Sequence, residues 1–160
     1  MTLGPQFDEE RQEREEYFNK RMESWDDAQR QAHFSLQDRI RSVRQSPSAL
    51  VVPTPSFDAG GALNARIAKR GKVLPGEGSS LIQGSQCNDC HGTSARHAAE
   101  NPRVELWTGY SESGDDEGIW REHTWTRQGG TVFEPTVPRS AYFGVKLKGR
   151  ARKRFIEENS

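Results

Sequence analysis

Between Val104 and Leu147 the sequence breaks into four short runs rich in β-branched and aromatic residues. They are VELWTGY (104–110), IWREHTWT (119–126), TVFEPT (131–136) and AYFGVKL (141–147). The acidic stretch SESGDDEG separates the first two and the turn RQGG the next two. Runs of this length and composition, punctuated by Gly and Asp, read as consecutive strands. Just upstream, Asn88 or Asp89 can cap a helix through CHGTSARHAAEN, and Pro102 follows beyond its end. A helix followed by consecutive strands specifies an α+β fold, in which a Cys-bearing helix packs on a small antiparallel sheet of three to five strands.

The rest of the chain divides by composition. Residues 1–45 are rich in helix formers and alternating charge, with no Gly or Pro between Pro5 and Gln45. They predict a long N-terminal helical arm, as one helix or two; unbroken, it would reach roughly 60 Å. Phe18, Met22, Trp25, Ala32, Leu36, Ile40 and Val43 approximate a three-four spacing, interrupted at Gln29 and Arg39. That narrow stripe suits either a solvated arm or a helix that docks on a larger assembly. Residues 46–80 combine Pro, Gly and Ser around a helical patch at Ala62 to Arg70, and read as a linker with a short helix. Residues 81–147 hold the α+β core, and 148–160 form a basic tail expected to be solvated.

Only 32% of the 160 residues are apolar, 29% are charged and the formal net charge is zero, so the core should be small. A neutral chain has no global attraction for nucleic acid or for an anionic membrane, and neither is the expected partner. No basic segment leads into an apolar run near Met1, and no stretch approaches a membrane span. The expectation is a soluble, cytoplasmic chain with reduced thiols.

Its two cysteines, Cys87 and Cys90, lie in QGSQCNDCHG, where three chemistries compete. Cys-x-x-Cys-His can attach a c-type haem with His91 as one axial ligand. Covalent haem normally follows export, however, and the second ligand would have to be His97 or His123. Zinc would need His91, His97 or His123 to complete a site begun by Cys87 and Cys90, without a second Cys-x-x-Cys. The third chemistry makes Cys90 a nucleophile at a helix N-terminus, where the helix dipole lowers a thiol pKa. This reading uses more of the sequence and calls for no cofactor or metal. Strand alternation places His123 on one face with Ile119, Arg121 and Trp125, and Glu134 follows across the turn. A loop at Gln128-Gly129, or over Arg127 to Gly130, sets His123 opposite Glu134. A Gly129-Gly130 loop pairs His123 with Thr136 and leaves Glu134 diagonal on the same face. Either register lets the carboxylate orient the imidazole in a Cys90-His123-Glu134 triad.

The order Cys90-His91-Gly92, WTGYSESG, Trp120-x-x-His123-x-Trp125, Glu134-Pro135-Thr136 and Tyr142-Phe143-Gly144 resembles a group of bacterial and phage proteins. It is also similar to a reduced papain-like or transglutaminase-like cysteine fold, and QGSQCNDC echoes the papain-type segment around the nucleophile. That resemblance implies Cys90 as nucleophile, His123 as base and Glu134 as its orienting acid. It implies an oxyanion-hole amide from Gln83, or from Gln86, because the interval to Cys90 is one residue longer here. The expected function is a thiol hydrolase or acyltransferase acting on a protein or peptide amide, isopeptide-like bonds included. The alternative is a non-enzymatic assembly protein, of phage type, that docks through its N-terminal helix.

Overall fold

The computed structural model describes residues 5–54, 61–76, 78–82, 89–113 and 118–159. The N-terminal segment folds as two helices, α1 (Pro5–Arg21) and α2 (Asp27–Val43). The break has a local cause. Asp26 caps α2 by accepting from the Gln29 amide at 2.8 Å, while the Gln29 side chain accepts from the Asp26 amide at 3.1 Å, a reciprocal capping box. Five residues of the narrow stripe, Met22, Trp25, Ala32, Leu36 and Ile40, are buried, and Phe18 and Val43 are half-buried. The arm is therefore not a projecting helix: α2 is part of the core.

The segment expected to be a linker is structural too. It supplies β1 (Leu50–Val51), α3 (Ala62–Arg70), β2 (Lys72–Pro75) and β3 (Ser80–Leu81). Then come α4 (Cys90–Glu100), β4 (Glu105–Ser113), β5 (Ile119–Gln128), β6 (Thr131–Glu134), β7 (Arg139–Leu147) and α5 (Gly149–Asn159). The basic tail is thus a helix. It packs Ala151, Phe155 and Ile156 on Leu106 and Leu147, and Arg152 donates to the carbonyls of Val104 and Ala98. No helix among the described residues is long and apolar enough to cross a membrane.

Among the described residues, all seven strands join one sheet in the order β2-β7-β4-β5-β6-β3, with β1 on the β5 edge. It is larger than the three to five strands expected, and mixed: β1 runs parallel to β5 and β3 parallel to β6, while the other pairs are antiparallel. Short strands such as Leu50–Val51 carry too little periodicity to be seen in a sequence.

Alternation along the strands separates two faces. Leu106 and Tyr110 of β4, Trp120 of β5, and Ala141, Phe143, Val145 and Leu147 of β7 face the helices. There they pack on Leu36 and Ile40 of α2, Ile67 of α3, Ala98 of α4 and the apolar side of α5. Trp107, Trp125 and Tyr142 lie on the opposite face with Leu74 and Val132. The two glycines of the β4 and β7 motifs belong to this second face, where Gly109 pairs with Gly144 on one side and His123 on the other. A Cβ on Gly144 would stand 2.4 Å from the Thr108 carbonyl oxygen and 2.8 Å from the Trp125 ring. The glycine is what lets the indole lie flat on the sheet.

Candidate active site

The β5–β6 turn is Gly129-Gly130, with φ of +59° and +84°, because Gln128 pairs with Thr131. Two positive φ values in a two-residue loop suit glycine and match the twist of the strands. Of the registers the sequence allowed, this is the diagonal one, and His123 and Glu134 meet across it. His123 Nε2 lies 2.8 Å from Glu134 Oε1 and 3.1 Å from Oε2. The imidazole is 2% exposed and the carboxylate 0%, so this is a fully desolvated pair.

Glu134 accepts three further hydrogen bonds: from the Tyr142 hydroxyl at 2.7 Å, the Thr136 amide at 2.7 Å and the Thr136 hydroxyl at 3.0 Å. Thr136 in turn accepts from Arg139 at 2.9 Å. Glu134-Pro135-Thr136 is thus a turn folded back on its own carboxylate, and Tyr142-Phe143-Gly144 supplies a hydroxyl for the same group. The roles of Tyr142 and Thr136 went unread in the sequence, although their motifs stood out, and Arg139 carried no sequence signal. The His123 ring lies beside the Trp125 and Tyr142 rings, at 6.2 and 6.1 Å and 22° and 24° from parallel, and those two rings touch one another at 4.8 Å.

Burial would raise the Glu134 carboxyl, but the His123 hydrogen bond and charge, the Thr136 amide and the Tyr142 hydroxyl outweigh it and hold it below the usual range. Burial likewise pulls His123 down, against the opposing pull of Glu134. The resting pair is a neutral imidazole donating Nε2–H to an ionised carboxylate, leaving Nδ1 as the ring's basic nitrogen.

Cys90 is the first residue of α4, so its amide lacks an intrahelical acceptor. The helix meets β5 by polar contacts: His91 Nδ1 to Thr124 Oγ1 at 2.6 Å, the Ser94 hydroxyl to the Thr124 carbonyl at 3.0 Å, and His97 Nδ1 to Thr126 Oγ1 at 2.6 Å. Thr124 and Thr126 belong to the helix face of the sheet and His123 to the other, so α4 does not pack on the face that carries His123. The two sides communicate through a gap in the sheet. Along its outer edge β5 pairs with β1 only at Ile119 and Trp120, and with β6 only from Thr126 onward. Between them, among the described residues, no strand covers Arg121 to Trp125.

A cleft of about 390 Å³ occupies that gap, lined by Val52 and Thr54 beyond β1, Cys90, Arg121, Glu122 and His123, and Thr136, Val137 and Arg139 beyond β6. Cys90 and His123 therefore share one cleft, without a sulfur–imidazole hydrogen bond in this state. The thiol is not activated at rest. Burial, then the Glu122 carboxylate, push it up to about 12, with Glu134 adding to the rise and the Thr124 backbone and Arg139 opposing it. The lowered pKa expected from the helix N-terminus is overturned because a terminus contributes about 1 kcal/mol, whereas burial moves a pKa by up to roughly 3–5 units.

Gln83, Gln86 and Cys87 lie outside the described residues. Of the cofactor ligands weighed in the sequence, His97 is held on Thr126 and His123 on Glu134. His91 remains beside Cys90 and Glu122, where the donor atoms of the three residues lie within 4.8 Å of one another. The Glu122 contribution has no sequence signal, since it depends on the strand's position beside α4. Comparison with protein-family models, curated proteins and solved structures returns no match.

Proposed function

We propose that the chain is a thiol-dependent hydrolase or acyltransferase, with Cys90, His123 and Glu134 as its catalytic groups and a peptide or isopeptide-like amide as substrate. The observation that carries this reading is the buried, fully hydrogen-bonded His123–Glu134 pair opening onto the cleft that Cys90 also lines. A carboxylate this desolvated is costly to maintain for packing alone. The choice of an amide rests on the resemblance to papain-like and transglutaminase-like folds.

In this mechanism the Cys90 sulfur attacks the carbonyl carbon as its proton passes to His123 Nδ1. The imidazolium so formed is stabilised by Glu134 through Nε2–H, and the oxyanion-hole role falls to the Cys90 amide with Gln83 or Gln86, as the papain-like resemblance implies. His123 then returns the proton to the leaving amine, giving a thioester on Cys90. Water or an acceptor amine, deprotonated by His123, attacks the thioester and regenerates the thiol. Proton transfer has to accompany attack, because at pH 7 a thiol with a pKa of about 12 holds only about one thiolate in 10⁵.

A second reading, a scaffold that keeps the fold without the chemistry, is favoured by the raised thiol and the missing sulfur–imidazole hydrogen bond. Iodoacetamide labelling at pH 7 with peptide mapping separates the two. An enzyme labels at Cys90 at least as fast as at Cys87, and His123→Ala slows Cys90 at least roughly tenfold. A scaffold labels at Cys87, leaves Cys90 unreacted and does not respond to His123→Ala.

A further inference from the structure

Beside the cleft, Cys90 and His91 on the first turn of α4 and Glu122 on β5 bring a sulfur, an imidazole nitrogen and a carboxylate oxygen within 4.8 Å of one another. We propose that these three side chains form a site for a thiophilic divalent cation of the zinc class, and that the bound cation withdraws Cys90 from nucleophilic use. The withdrawal rests on the thiol-enzyme reading above; the site itself does not.

The donor set is one that zinc takes, at about 2.0–2.3 Å from each ligand, which places the ligand atoms roughly 3.5 Å apart in a tetrahedron. With the donor atoms within 4.8 Å of one another, shifts of about an ångström would bring them to that geometry. The surroundings are built as for a ligating histidine. His91 Nδ1 lies 2.6 Å from Thr124 Oγ1, itself 3.1 Å from Thr108 Oγ1, so one ring nitrogen is anchored by an outer hydroxyl pair. The other, Nε2, stands 2.8 Å from Glu122 Oε2.

That carboxylate oxygen is the second observation. Glu122 Oε2 is shielded from solvent and makes no hydrogen bond, the close approach of His91 Nε2 lacking hydrogen-bond alignment. A cation held between nitrogen and oxygen, with the Cys90 sulfur as third ligand, satisfies it. Three protein ligands leave a fourth position open to water from the cleft. Arg121 and Arg139 line the same cleft. A metal that binds thiolate, and so recruits a further negative charge, is accommodated there better than a hard, oxygen-seeking one. On binding, the Cys90 proton leaves to solvent and the S–metal bond takes its place; no redox step is involved.

The test uses the full chain, reduced and stripped of metal by chelator, titrated with zinc chloride by calorimetry and with cobalt(II) by absorption. The expected result is one saturable ion per chain, with a thiolate-to-cobalt charge-transfer band that Cys90→Ser abolishes. His91→Gln and Glu122→Gln should each weaken zinc at least roughly tenfold, while Cys87→Ser and His123→Ala leave it unchanged, with circular dichroism confirming that each variant is folded. Zinc should also protect Cys90 from iodoacetamide. No saturable binding, binding indifferent to Glu122→Gln, or binding that requires Cys87 would overturn the site. The two readings fail separately. Loss of zinc binding with His123-dependent acylation of Cys90 intact removes only the metal site, whereas zinc binding without acylation removes only the enzyme.

Discussion

Truncating Leu36 tests whether the charged N-terminal region is part of the folded core. Leu36 is 0% exposed and belongs to the cluster with Ile40, Tyr110, Trp120 and Phe143. Leu36→Ala removes three buried carbons and leaves a cavity in the cluster that also holds Trp120 and Phe143, whose paired strands limit how far the core can collapse. Fully buried Leu→Ala changes cost about 3–5 kcal/mol, and a rigid wall favours the upper half of that range. At about 2–4 °C per kcal/mol for a chain of this size, the melting temperature should fall by about 10 °C. Urea unfolding followed by tryptophan fluorescence measures the change, with Arg39→Ala, on the exposed side of the same helix, expected within about 0.5 kcal/mol of the parent. A Leu36→Ala loss below about 1 kcal/mol would refute the packing of α2 and restore the image of a detached arm. By the same reasoning, deleting residues 1–45 should abolish cooperative unfolding of the remainder instead of leaving it intact.

His33 gives a pH signature. It is 1% exposed, its Nδ1 has no hydrogen-bond partner, and burial lowers its pKa from 6.5 to about 4. The unfolded chain therefore binds the extra proton between those values. The His33 contribution to stability should be complete above pH 6.5 and fall as the pH drops toward 4, by about 3 kcal/mol in all; in His33→Phe the slope of urea titrations across the window should shrink by that share, leaving the part due to His123 and His97. Tyr142→Phe deletes one donor to Glu134 and should cost about 1 kcal/mol. Glu134→Gln, which turns an amide donor toward groups that already donate, should cost about 2–3 kcal/mol, both read by urea unfolding. Gly144→Ala sets a Cβ 2.4 Å from the Thr108 carbonyl oxygen, and a loss of about 1–3 kcal/mol in the same assay is expected.

The sequence carried the local elements more clearly than their assembly. The helix at Cys90, the patch at Ala62 to Arg70 and the four strands after Val104 were legible because each has a cap, a breaker or a composition of its own. Strand β1 was not, since two residues show no period and their pairing with Ile119 and Trp120 is a contact across the chain. The capping box at Asp26 and Gln29 was a readable signal for the helix break, hidden by the uniform charge around it. The burial of α2 was hidden because a narrow apolar stripe suits a docking helix and a core helix equally. At the site, the meeting of His123 and Glu134 followed from strand alternation and a Gly-Gly turn. What alternation could not show is that Cys90 approaches from the other face through a gap in the sheet. The gap exists only because β1 and β6 leave the middle of β5 uncovered. The raised thiol follows from the same placement, since burial beside Glu122 and Glu134 is a tertiary fact.

The most direct test of the central claim is acylation of Cys90 by p-nitrophenyl acetate, followed by nitrophenolate release and by mass mapping of the acetylated peptide. A half-buried thiol with a pKa of about 12 has almost no reactivity of its own near neutral pH, so any transfer must be drawn by the neighbouring base. The account predicts an acetyl thioester on Cys90 at pH 7 to 8, and a rate that falls by roughly 10²-fold or more in His123→Ala. Acetylation confined to Cys87, or a Cys90 rate unchanged in His123→Ala, would contradict it.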